Sequence, residues 1–113
     1  MPTIIKALIV LTALLATATA RADDLPVYPV EQWCEKVSRS AGARSEMVYG
    51  ACLDQEQSAY DALKKSWAAL PGQTQTWCDK IAKATGGSYM ILNGCVEQEG
   101  AAGKANSERQ FRR

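Results

Sequence analysis

Apolar residues recur along this chain at spacings of three and four, and nowhere alternate with a period of two for long enough to make a strand. Val30, Trp33, Cys34 and Val37 fall at i, i+3, i+4 and i+7, which predicts a helix opening after Pro29 and fading at Ala41-Gly42. Ser45 is placed to cap a second helix. In it Tyr49, Leu53, Tyr60, Leu63, Trp67 and Leu70 continue the stripe, interrupted only by Glu56, until Pro71-Gly72 stops it. Thr74 or Thr76 caps a third helix bearing Trp77, Cys78 and Ile81, Gly86-Gly87 makes a turn, and Ser88 starts the last helix through Ile91, Cys95 and Val96. After Gly100 the apolar residues run out, so residues 101–113 are expected to be a flexible tail. The expected fold class is all-α.

The pattern is written twice. Trp33-Cys34-Glu35-Lys36-Val37 returns as Trp77-Cys78-Asp79-Lys80-Ile81, Gly42 matches Gly86, and Ser45 matches Ser88 once one residue near Arg44 is skipped. Met47-Val48 then matches Met90-Ile91, and Cys52-Leu53-Asp54-Gln55-Glu56 matches Cys95-Val96-Glu97-Gln98-Glu99. Of 23 aligned positions 9 are identical and 6 are close replacements, and the identities include a tryptophan pair and two cysteine pairs. Such self-similarity marks an internal duplication. The copies run over about 30–70 and 74–100, so residues 23–100 should form one small four-helix domain of two tandem antiparallel hairpins.

Cys34 and Cys52 each lie nine residues from Ala43, and Cys78 and Cys95 are equidistant from the Gly86-Gly87 junction. Antiparallel helices joined by a short turn bring such positions level, within reach of disulfide geometry. Four cysteines permit three pairings, and a duplicated unit that once stood alone selects Cys34 with Cys52 and Cys78 with Cys95. Each closure of such a loop is worth roughly 3 kcal/mol, which matters for a domain this small. The chain has no Cys-x-x-Cys pair and no histidine, which argues against zinc or iron–sulfur ligation and removes His-dependent catalytic triads. No cofactor, no metal ligand and no catalytic residue is expected, and the protein reads as a non-enzyme.

Residues 1–22 read as a cleaved signal peptide. Met1 to Lys6 gives a positive start, Ala7 to Leu15 an apolar core, and Ala16 to Ala22 a run of mostly small residues, with cleavage after Ala20 or Ala22. The uncharged stretch is too short for the roughly 20 residues of a membrane span. The expected location is periplasmic or secreted, an oxidising setting that suits disulfides, with no stable membrane anchor. Without the leader, 11 basic groups face 12 acidic ones. Residues 104–113 carry four basic groups and one acidic, which leaves the body at −4. An acidic body with no basic stripe gives no reason to expect nucleic acid as a partner.

Trp33 and Trp77 are expected to pack beside their disulfides as core residues, with a ligand platform as the alternative. Tyr49, Tyr60 and Trp67 either pack against the second hairpin or form an aromatic patch for a protein partner, which makes them the candidate partner-binding residues. Asp54 and Glu56, with their repeats Glu97 and Glu99, are expected on solvated helix surface, because residues two apart on a helix point to different sides. Gln55 and Gln98 either bond across the hairpin or face water.

Residues 34–70 resemble the lysozyme-inhibitor LprI-like family of small secreted bacterial proteins. The shared features are a Cys, a spacing of 17, a second Cys, the acidic Glu56, Tyr60-Asp61-Ala62-Leu63, an aromatic at Trp67 and then Leu70. Lys64 stands where the family pattern has Asn, and the second copy lacks the Tyr-Asp-x-x-Leu stretch. The resemblance implies a bacterial envelope protein that binds lysozyme-type muramidases. Two functions are therefore expected: a periplasmic or secreted binding module that inhibits such an enzyme, or a structural or stress-related envelope protein that self-associates or binds other envelope proteins through an aromatic helix face.

Overall fold

The computed structural model describes residues 24–113, so the expected leader lies outside the described residues. Four helices succeed one another: α1 (Val30–Ser38), α2 (Glu46–Ser66), α3 (Gly72–Ala84) and α4 (Tyr89–Ser107), with a 3-10 turn at Trp67–Ala69. No strand occurs among the described residues.

Local chemistry accounts for most boundaries. Ser45 and Ser88 are N-caps, and their hydroxyl oxygens accept from the backbone N–H of Val48 and Ile91. Gly42, Gly86 and Gly87 have φ of +118°, +118° and +88°, which only glycine adopts without strain, and so close the two hairpins.

Three expectations need correction. The third helix begins at Gly72, not at Thr74 or Thr76. Pro71 is its N-cap, and the buried Gln75 side chain donates from Nε2 to the Trp67 carbonyl at 2.7 Å, holding the helix start against the 3-10 turn. Trp67 accordingly lies in that turn and not in the long helix. The last helix also continues past Gly100 to Ser107, because Ala101, Ala102, Lys104 and Ala105 sustain a helix through propensity alone although every residue there is exposed.

The disulfides are Cys34–Cys52 and Cys78–Cys95, with Cα atoms 5.6 and 5.5 Å apart. Each staples one hairpin, α1 on α2 and α3 on α4, as the duplication requires. The hairpins meet where α2 packs on α4, so the order across the molecule is α1, α2, α4, α3. Leu63 and Trp67 from the first hairpin, and Cys78, Ala82, Leu92 and Val96 from the second, share one core. Complete burial of Leu63 and of Leu92 each contributes about 2 kcal/mol. The extended stretch before α1 crosses onto the second hairpin and buries Tyr28 there.

Candidate functional site

The duplication builds the same notch twice, beside each disulfide. In the first hairpin its lining is Trp33 and Val37 from α1 with Val48, Ala51, Cys52, Gln55 and Glu56 from α2. The start of the second repeat borders this notch, with Ser88, Met90 and Ile91 forming one wall of a cavity of about 370 Å³. Glu56, 1% exposed, holds it there: Oε1 accepts from the Ser88 hydroxyl at 2.5 Å and Oε2 accepts from the Tyr89 N–H at 2.6 Å. A carboxylate at the first turn of α4 satisfies free donors and meets the positive end of the helix dipole. Trp33 lies against the turn, and a Cβ at Gly86 would sit 3.1 Å from its Cε3.

The expectation that Glu56 sits on solvated surface is therefore corrected. Its spacing interrupts the apolar stripe because the position is buried but polar, paired with groups 32 and 33 residues further along. Asp54, Glu97 and Glu99 are exposed, as expected, and so are Gln55 and Gln98.

In the second hairpin the notch lacks that wall. Trp77, Ile81, Ile91, Gly94, Cys95, Gln98 and Glu99 line a groove of about 350 Å³, the repeat equivalents of the first set at every position. Trp77 and Glu99 also border a wider groove of about 890 Å³ with Pro71–Thr74, Thr76 and Lys80. Trp77 is 49% exposed, so its expected packing inside the core is corrected. Trp33 is covered by the second repeat at Gly86, and among the described residues nothing covers Trp77 in the same way.

No family model, curated protein or solved structure matches this chain. The functional reading of the notch rests on its own geometry.

The structure does not gather Tyr49, Tyr60 and Trp67 into one patch. Trp67 is 3% exposed, inside the shared core, with its indole Nε1 unpartnered, so it is withdrawn as a partner-binding residue. Tyr60 is half-buried with its ring edge-on to Tyr89, centroids 4.9 Å apart. Tyr49 is half-buried beneath the Arg44 guanidinium, 4.3 Å from its ring centroid. All four cysteines are in disulfides, so none offers a thiolate.

Tyr28 and Tyr89 stand out only in the structure. Tyr28 donates from its hydroxyl to Asp79 Oδ1 at 2.7 Å and from its N–H to the Tyr89 hydroxyl at 3.1 Å, while Tyr89 donates to the Pro26 carbonyl at 2.7 Å. Burial, reinforced by the neighbouring Asp79 carboxylate, pushes the Tyr28 phenol well above its ordinary pKa. Burial likewise raises Tyr89.

Among the described residues no helix is long and apolar enough to cross a membrane. Two disulfides in a domain of this kind fit an oxidising or extracellular compartment.

Proposed function

We propose that this chain is an exported, non-enzymatic protein-binding module that engages its partner through the open notch beside Trp77. The observation that carries the reading is a half-exposed tryptophan over an apolar groove on a frame stapled by disulfides. A preformed aromatic anchor loses little entropy on binding and suits a protein contact. The one fully buried carboxylate among the described residues, Glu56, has both oxygens engaged in capping α4, which is a structural task. The reading of residues 1–22 as a leader supports export.

The partner class we assign is the lysozyme-type muramidases. The resemblance of residues 34–70 supports it, and a body carrying net −4 favours a basic partner through steering. The test is muramidase turnover in the presence of the oxidised mature chain. Inhibition at micromolar concentration, lost in Trp77→Ala, is expected; undiminished turnover at a hundredfold excess removes the inhibitor assignment.

A second reading, an envelope protein that self-associates, is favoured by a separate observation. Met47, at 82% exposed, and Val48 project at the start of α2, at the end of the molecule that carries the first turn.

A further inference from the structure

The first notch already shows what such a notch accepts. Its occupant is the turn and first helical residues of the second repeat: Gly86 under Trp33, then Ser88, Met90 and Ile91, fixed by Glu56. The repeat equivalents of that occupant are Gly42, Ser45, Met47 and Val48; Val48 also lines the first notch, as Ile91 lines the second. Gly42 has the same φ of +118° as Gly86, with nothing within 4 Å of where its Cβ would be. Ser45 accepts from the Val48 N–H at 3.2 Å just as Ser88 accepts from Ile91, and its hydroxyl proton makes no bond within the described residues. Met47 and Val48 are exposed. The chain thus carries on its second hairpin a notch without that wall, and on its first an exposed segment with the repeat equivalents of the wall residues, one residue longer at Arg44.

We infer that the Trp77 notch receives the first turn and α2 start of a second copy of this chain, joining copies head to tail by the arrangement that joins the two hairpins within one copy. This rests on the reading of that notch as a protein-binding site and names its occupant. Trp77 would lie over Gly42 of the neighbour, Ile81 and Ile91 against its Met47 and Val48, and Glu99 would accept from its Ser45 hydroxyl and Glu46 N–H. The Glu46 carboxylate does not oppose Glu99, because Arg44 holds it at 3.2 Å on its own turn. The contact is heterologous, so repetition gives an open filament or a closed ring and not a self-limited two-fold pair. It is weaker than the intramolecular joint: Tyr28, Tyr60 and Tyr89, which reinforce that joint, correspond to Gly72, Gly103 and Glu46.

Sedimentation of the oxidised exported chain from about 10 µM to 1 mM reads this directly. The weight-average mass should rise past twice the monomer. Met47→Glu disables the segment and Trp77→Ala the notch; both residues are exposed, so circular dichroism and thermal unfolding should match the parent. Each variant alone should stay at monomer mass, whereas their equimolar mixture should reach twice that mass and stop, since one intact segment meets one intact notch. A parent that remains monomeric at the highest concentration, or a mixture that does not pair, overturns the inference. Pairing limited to two copies in the parent, with no recovery in the mixture, indicates a symmetric contact and also overturns it. Muramidase inhibition that is lost in Trp77→Ala while the parent stays monomeric keeps the binding-module reading and rejects only this occupant.

Discussion

The same residue type in the same motif takes opposite roles in this protein, and the difference lies in what packs against it. Trp33 is covered by the Gly86 turn, and Trp77 is half open. Gly42 and Gly86 make this measurable because they share φ = +118° and differ in surroundings. Substituting either by alanine incurs backbone strain of about 2 kcal/mol. At Gly86 the new methyl would also press on Trp33, at 3.1 Å from Cε3, adding about 1 kcal/mol. In urea unfolding, Gly86→Ala should therefore be the more destabilising of the two, and the excess should vanish in a Trp33→Ala background. An excess that survives there would show that Trp33 is not what the glycine accommodates. Sequence alone identifies both glycines as turn residues, since two hairpins need them, but gives no distance to a tryptophan more than fifty positions away.

Among the elements, the helices, both serine caps and both disulfides are legible in the sequence because each depends on partners within about twenty residues. Glu56 is not legible. Its partners Ser88 and Tyr89 belong to the other hairpin, and its repeat equivalent Glu99 is an ordinary surface residue. The end of α4 escapes the pattern for a different reason: helix propensity without burial holds Ala101 to Ser107, which carry no apolar stripe. The two glutamates form a matched test. Glu56→Gln removes the negative charge at the α4 N-terminus and leaves neutral hydrogen bonds in place of charge-assisted ones, and should cost about 1 kcal/mol in urea unfolding. Glu99→Gln in the monomer should stay within about 0.5 kcal/mol. Equal effects at the two positions would refute the assignment of Glu56 as the clamp on α4.

Across the whole molecule, the hairpins are tied by the segment before α1, which reaches over to the second hairpin through Tyr28. Nothing in the apolar periodicity announces this segment, since it is extended and its partners are Tyr89, on α4, and Asp79, on α3. Titration offers a way to see it. Both phenols are raised in the fold, chiefly by burial, whereas in the unfolded chain they ionise near pH 10. Above that pH the unfolded state binds fewer protons than the folded state, so unfolding becomes easier as pH rises. Stability contributed by these groups is complete below about pH 10 and is lost above it, by up to about 1.4 kcal/mol per pH unit for each tyrosine that titrates only when unfolded. Tyr28→Phe keeps the ring stacked on Tyr89, whose centroid is 4.8 Å away, but removes the hydroxyl bonded to Asp79. Guanidinium unfolding of the variant should show a loss of about 1 kcal/mol at pH 8 and a shallower decline between pH 10 and 11 than the parent. Parallel alkaline slopes in the two proteins would mean that Tyr28 ionises as freely in the fold as outside it, and that the tie between the hairpins does not pass through its hydroxyl.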